Sequence, residues 1–197
     1  MARIFIILFL LTGMASQAQD MLKALKREHN MYRFGIGVQA SDPLGINLQL
    51  FHGFFCSNDD TYATKMVWEL TGGVENSIFT SGQSYKTGVW KKGGFQSSLG
   101  AHYPVANILT PYFTTQFYAG AGLQGGTRKY KDAGEDLTDT IFGVNVSANA
   151  SFMGRGITMG DGIWFITLYG GIKLHKQFGE DFSYVRPSLG LVFRKAR

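Results

Sequence analysis

Apolar and polar residues alternate along most of the chain after residue 30, which is the period of a β-strand with one apolar face. In the clearest run, residues 142–152, Phe, Val and Ala alternate with Gly, Asn and Ser. Seven further segments have the same period and contain Phe34, Ile46, Trp68, Phe95, Phe113, Trp164 and Val185. Eight antiparallel strands can close without exposed edges. The pattern therefore predicts an all-β fold, an eight-stranded antiparallel up-and-down β-barrel.

Turn-forming residues separate these segments and support an up-and-down order. Short turns are expected at residues 41–45, 57–60, 107–111 and 160–162. Longer polar links are expected at residues 76–92 and 128–140. No segment of helical period joins two strands, so a βαβ arrangement is not predicted.

The period alone does not tell which face of the barrel is apolar, because a lipocalin-like carrier with an apolar interior has the same alternation. Residues 93–127 and 140–154 contain no Asp, Glu, Lys or Arg. A wall exposed to water would normally carry such charges. The polar positions are mostly Gly, Ser, Asn and Gln, which suit a crowded, hydrogen-bonded lumen. We therefore expect the apolar face to contact lipid, as in a transmembrane barrel.

The first residues predict export. Residues 1–18 read as a cleaved signal peptide, with a basic start at Arg3, an apolar run at residues 4–11 and Ser16-Gln17-Ala18 before the cut. The apolar run is shorter than the roughly 20 residues of a membrane-spanning helix. Residues 19–30 are expected to form a periplasmic lead segment, either a short amphipathic helix or unstructured chain. Residues 31–197 are assigned to the barrel.

Several short sequences resemble a known family. They are Gln17-Ala18-Gln19, Gly35-Ile36-Gly37, residues 42–46 and the closing residues 188–193. With these, the chain resembles the small outer-membrane β-barrel proteins of Bacteroidetes-type bacteria, the eight-stranded outer membrane protein beta-barrel domain family. The resemblance implies the outer membrane of a Gram-negative bacterium, contact with outer-membrane lipid and lipopolysaccharide, and recognition of a terminal aromatic residue by the barrel-assembly machinery. Phe193 could serve, although four residues follow it.

Charged residues at inward positions form the candidate site. The alternation turns Arg33, Glu69, Glu75, Lys173 and Arg186 toward the lumen. An eight-stranded barrel is just wide enough to be filled by side chains, so a general pore is not expected. Buried opposite charges must pair to offset their desolvation. We predict a network centred on Glu69 with Arg33, Lys173 or Arg186 that plugs the lumen; the other interpretation of these charges is a gate or a proton path.

Other chemistry has little support. The net charge of +5 comes from dispersed residues, which does not indicate nucleic acid binding. The four histidines are isolated, so no metal site or other cofactor is expected. Cys56 is the only cysteine and cannot form a disulfide within the chain.

The predicted function is therefore non-enzymatic: a structural, adhesion or envelope-assembly role. The alternatives are a lipid-modifying enzyme of the lipid A deacylase or acyltransferase type and, after it, the secreted lipocalin-like carrier. No histidine has a serine two residues away, the spacing that joins nucleophile and base on one strand face. An enzyme would have to use His175 with Glu180, Asp181 and Ser183 across the last hairpin.

Overall fold

The structure is a computed structural model that describes residues 27–41, 43–56, 61–75, 84–85, 88–91, 93–179 and 183–195. These residues form β1 (Arg27–Ser41), β2 (Leu44–Cys56), β3 (Thr61–Val74), β4 (Ser84–Tyr85), β5 (Gly88–Lys91), β6 (Phe95–Leu109), β7 (Phe113–Asp132), β8 (Glu135–Gly154), β9 (Ile157–Met159), β10 (Gly162–Gln177) and β11 (Ser183–Lys195). In this part of the chain no helix is long and apolar enough to cross a bilayer.

Eight of these strands close into a barrel. In the order β1, β2, β3, β6, β7, β8, β10 and β11, each strand pairs antiparallel with the next. The barrel closes where β11 returns to β1, with Ile36 opposite Phe193. The prediction of an all-β, eight-stranded up-and-down barrel is confirmed. We call the end of the barrel that carries Arg27 and Lys195 the terminal end, and the opposite end the loop end.

The first strand begins earlier than predicted. Residues 27–30 were assigned to the lead segment, but β1 starts at Arg27. The reason is that β2 extends to Cys56 and offers backbone partners, so that Arg27 pairs with Phe55 and Met31 with Gly53. The signal peptide and residues 19–26 lie outside the described residues, as does the predicted turn at residues 57–60, so these assignments stay predictions.

The wall of the barrel is apolar outside and polar inside. On β8, Phe142, Val146 and Phe152 are exposed, whereas Asn145 and Ser151 are buried. The outward apolar surface also includes Phe34, Ile36, Val38, Ile46, Leu48, Leu70, Leu99, Leu123, Ile166, Leu168, Ile172 and Leu189. A protein that folds in water buries such residues, so this barrel has the inverse of the usual arrangement.

Aromatic side chains meet across strands near both ends of the outward apolar surface. Phe142 and Phe178 lie at the loop end with ring centroids 5.4 Å apart. Phe113 and Phe152 lie at the terminal end with centroids 5.2 Å apart. Aromatic residues in these two positions are typical of barrels whose apolar band meets water on both sides.

A β-hairpin rises above the loop end. Residues 128–140 were predicted as a polar link, but β7 and β8 continue through them and pair up to Asp132 and Glu135. The strand continues through the charged residues because they keep the period of two: Arg128 and Tyr130 are buried, whereas Lys131 is exposed. β5 adds to the free side of β7, and the predicted link at residues 76–92 thus contributes two short strands.

The tip of this hairpin contains a strained residue that suggests a stabilising substitution. Ala133 and Gly134 both have positive φ, 47° and 94°, as a two-residue type I′ turn requires. Alanine is disfavoured there, whereas asparagine is favoured at this turn position. We expect Ala133→Asn to raise the free energy of unfolding by about 0.5–1 kcal/mol. Urea unfolding of the protein refolded in detergent micelles measures it, with Thr138→Asn, an exposed strand position, as the control that gives no increase. Equal effects of both substitutions would contradict the turn argument.

Candidate functional site

The lumen is closed at the terminal end by apolar side chains. A buried cluster contains Phe51, Tyr62, Val67, Tyr118, Met153 and Phe165. The Phe51 and Tyr62 rings pack edge to face with centroids 5.7 Å apart. The hydroxyl of Tyr118 hydrogen-bonds the side chains of Thr64 and Gln116, so this polar group of the cluster is satisfied. At the terminal end the inward-facing residues are apolar because their side chains pack against each other and not against water.

Halfway along the lumen lies a buried carboxylate with several partners, which we call the Glu69 network: Glu69, Lys173, Asn47, Gln49 and His102. Lys173 Nζ lies 3.3 Å from Glu69 Oε1. The other oxygen, Oε2, accepts hydrogen bonds from Asn47 at 2.8 Å and Gln49 at 3.2 Å. Gln49 on β2 lies directly opposite Glu69 on β3, and Lys173 comes from β10. The buried carboxylate is thus compensated by one cation and two amide donors.

A second charged cluster closes the loop end, and we call it the Glu75 cluster: Glu75, Arg128, Arg186, Tyr184 and Gln96. Arg186 Nη2 donates to Glu75 Oε1, and Arg128 Nε lies 3.9 Å from Glu75 Oε2. Both guanidinium groups also lie against the Tyr184 ring, 4.7 and 4.6 Å from its centroid. All three charged side chains are 0% exposed. Cations held on an aromatic face in a water-free site are strongly attracted to it.

The four residues predicted from the sequence are divided between these levels. Glu69 and Lys173 meet, whereas Arg186 belongs to the Glu75 cluster. Lys173 and Arg186 are directly opposite each other on β10 and β11. Like charges in that position repel, so each takes a separate carboxylate. Arg33 is half buried on β1 and is not among the contacts of Glu69. The single network that we expected is therefore two.

Sequence reasoning missed a contact between a serine and a histidine. Ser147 Oγ lies 3.2 Å from His102 Nδ1, and His102 Nε2 lies 3.6 Å from Glu69 Oε1. The three residues come from β8, β6 and β3. A search along one strand cannot find them. Both His102 and Ser147 are registered against Gly120 of β7, which has no side chain to separate them.

Gly120 lies between His102 and Ser147, so a side chain at this position should destabilise the lumen. A Cβ at Gly120 would lie 2.2 Å from His102 Nδ1 and 2.7 Å from Ser147 Oγ. Gly120→Ala must displace both side chains, and overpacking of this kind typically costs about 1–3 kcal/mol. We expect that loss in urea unfolding, together with a changed His102 imidazole NMR signal. Gly154→Ala, where a Cβ meets nothing within 4 Å, is the matched control and should unfold like the wild type. A Gly120→Ala protein as stable as that control would show that the two side chains do not meet.

The alternative enzyme arrangement around His175 is not assembled from the described residues. The His175 ring is buried and stacks on Tyr184 with centroids 4.6 Å apart, and its Nδ1 contacts Gln124 Oε1. Ser183 is exposed, on the opposite face of the wall. Glu180 and Asp181 lie outside the described residues. Within the described ranges no group of three His, Cys, Asp or Glu side chains could hold a metal ion.

The hairpin above the loop end carries exposed charges. Lys129 and Lys131 are exposed on its outer face, and the ammonium group of Lys91 on β5 contacts the Asp136 carboxylate. The hydrogen bond from Lys91 holds the pKa of Asp136 below its ordinary value. Asp136 is thus part of a solvated surface on which its charge is paired.

The chain is similar to a solved β-barrel domain. No family model matches the sequence, and no curated protein matches it. The crystal structure of the N-terminal β-barrel domain of Pseudomonas aeruginosa OprF is similar, with 15% identity over 83% of this chain and 96% of that chain and a TM-score of 0.42. Membership of the Bacteroidetes-type barrel family stays a prediction.

Proposed function

We propose that this protein is an integral outer-membrane β-barrel of a Gram-negative bacterium, non-enzymatic, with a plugged lumen and a structural, adhesion or envelope-assembly role. The observation that carries the proposal is that the barrel wall is apolar outside and polar inside. Phe34, Ile36 and Leu123 are each more than half exposed, whereas Arg186, Glu75 and Arg128 are fully buried. In water this arrangement would expose a continuous apolar surface, and lipid is the solvent that suits it.

The height of the apolar surface also fits a bilayer. The outward residues 142–152 of β8 run about 33 Å along the strand, at roughly 3.3 Å per residue. With strands tilted by about 40°, this is about 25 Å along the barrel axis, the height of the apolar band of outer-membrane barrels. The same outward surface disfavours the lipocalin-like carrier, because that carrier needs its apolar residues inside to hold a ligand.

The contents of the lumen favour a structural role over transport. The apolar cluster occupies the terminal end, the Glu69 network the middle and the Glu75 cluster the loop end. A solute would have to displace paired charges at two levels and a packed cluster at a third. We therefore infer that the barrel serves as a wall and as a platform for its loop end, which the hairpin of β7 and β8 extends.

The contact of Ser147, His102 and Glu69 is the one observation that favours the alternative, a lipid-modifying enzyme. Serine, histidine and a carboxylate in this order are the groups of acyl-transfer catalysis. However, Ser147 and His102 are buried inside the barrel, and the cavity beside His102 has a volume of about 20 Å³. That is room for one or two water molecules and not for an acyl chain. The buried position of the contact between Ser147, His102 and Glu69 therefore favours a structural role, in which the three side chains stabilise the lumen by hydrogen bonds.

Membrane fractionation tests the proposal. The full chain should partition with the outer membrane and migrate compactly on a detergent gel until it is boiled. A soluble periplasmic protein with no shift on boiling would contradict it. For the enzyme, lipid A from cells that express the wild type and Ser147→Ala should have the same acylation profile, and no serine hydrolase probe should label the wild type. A wild-type profile that changes back in Ser147→Ala cells would favour the enzyme.

A further inference from the structure

A small cavity lies in the lumen beside the Glu69 network and has no role in the plug described above. Its volume is about 20 Å³, and it is lined by Arg194, His102, Ser151, Gln49 and Glu69, among others. A cavity of this size holds one or two water molecules or one monatomic ion. The charges and hydrogen-bond donors of the lining residues decide which of these occupants the cavity binds.

Arg194 is a buried cation that has no carboxylate partner among the described residues. Its side chain is 3% exposed, and its Nε and Nη2 both donate to Gln49 Oε1, at 3.0 and 2.8 Å. The guanidinium group lies 5.1 Å from the centroid of the Phe51 ring, and its Nη1 is buried with no hydrogen-bond partner in the part of the chain that the structure describes. Every ion pair that Glu69 makes is with Lys173 or His102, so that carboxylate does not compensate Arg194. A buried charge that is neither paired nor fully hydrogen-bonded is unfavourable.

A serine supplies a second donor to the cavity. Ser151 lines it, and its hydroxyl hydrogen is free to turn inward. His102 also lines the cavity, but its Nε2 lies 3.6 Å from Glu69 Oε1 and its Nδ1 lies 3.2 Å from Ser147 Oγ, so both ring nitrogens already have a polar neighbour. Arg194 and Ser151 thus present the donors that are still available to an occupant of the cavity.

The charges at this level are in excess on the positive side. Lys173 and Arg194 carry two positive charges, and Glu69 carries one negative charge whose oxygens already accept from Lys173, Asn47 and Gln49. A water molecule satisfies a hydrogen bond but leaves that excess in place. A metal cation would add to it, whereas one monatomic anion fits the space and offsets the excess. From this geometry we infer that the cavity is a binding site for a small monatomic anion of the halide class, held by Arg194 and Ser151.

The inference needs the closed lumen but not a lipid environment, so it can fail while the proposed function stands. Its direct test is crystallography of the wild-type protein in detergent, grown with chloride and then soaked in sodium bromide. We expect an anomalous bromine peak in the cavity, in contact with Arg194. Ordered density without an anomalous signal means that water fills the cavity and overturns the inference, as does a peak found only at the protein surface.

A solution measurement tests the same point without crystals. Unfolding is compared in sodium chloride and in sodium gluconate of equal ionic strength, because gluconate is too large for the cavity. An anion bound only by the folded state should raise the ratio of folded to unfolded protein about tenfold when its concentration is ten times its Kd. Arg194→Gln should remove the difference between the salts, and Lys129→Gln, which removes an exposed charge of the hairpin, should keep it. Equal stability of the wild type in both salts would overturn the inference even if Arg194→Gln does not fold.

Discussion

Glu69→Gln should lower the free energy of unfolding by about 3–5 kcal/mol, the cost of breaking a buried ion pair on one side. The reason is that Lys173, whose Nζ is 3.3 Å from the carboxylate, stays buried with its charge uncompensated. Asn47 and Gln49 lose the same charged acceptor. The measurement is urea unfolding of the refolded protein in micelles, followed by the gel shift and by tryptophan fluorescence.

Two further variants separate the pair from its surroundings. Glu69→Gln combined with Lys173→Met removes both charges, and the combined loss should be smaller than the sum of the single losses. Asp136→Asn removes an exposed carboxylate of the hairpin and should cost little. If Glu69→Gln unfolded like the wild type and yet changed ion conductance in planar bilayers, Glu69 would be a gate and the structural account would be wrong.

Val146→Arg should cost about 2–4 kcal/mol when the protein folds into lipid, the value for a cation at the midplane of a barrel's lipid face. Val146 is about half exposed and lies near the middle of the outward apolar run of β8. In a water-soluble barrel the same change at an exposed position would have an effect within about 0.5 kcal/mol. Folding into phospholipid vesicles at a series of urea concentrations measures the difference.

The control lies on the same strand above the apolar band. Thr138 is exposed on the hairpin, and Thr138→Arg should leave stability unchanged in lipid. As a second comparison, the stability of both variants to urea is measured in detergent-free buffer. A Val146→Arg protein that inserts and resists urea as well as Thr138→Arg would show that the outward face of β8 does not contact hydrocarbon.

The sequence predicted the parts of the fold that depend on local period. Alternation on β8 assigned Phe142 outward and Asn145 inward, and the absence of charge from the strands predicted that the apolar face is the outer one. Inward charges such as Glu69 and Lys173 follow from the same rule. These predictions succeed because a one-residue shift in a strand would turn every side chain to the wrong face, so the pattern is strongly constrained.

What depends on register between strands could not be predicted. The contact of His102 with Ser147 exists because Gly120 is opposite both, and that requires two pairings that no local pattern contains. The division of the charges into two networks likewise depends on which cation on β10 or β11 reaches Glu69 on β3 or Glu75 directly after it. The strand through Arg128 was missed because charge usually indicates a loop, whereas here the charged residues alternate between the buried face, with Arg128, and the exposed face, with Lys129 and Lys131, of an extended hairpin.

The central claim, that the apolar outer wall contacts hydrocarbon, is tested most directly by spin labels at outward positions of β8. Single cysteines at residues 144, 146, 148 and 138, in a Cys56→Ser background, are labelled and refolded into bilayers. Labels at 144, 146 and 148 should be open to oxygen and protected from a water-soluble nickel chelate, and the label at 138 should show the reverse. If the nickel chelate reached residue 146 as readily as residue 138, the outer wall would face water and the membrane assignment would be wrong.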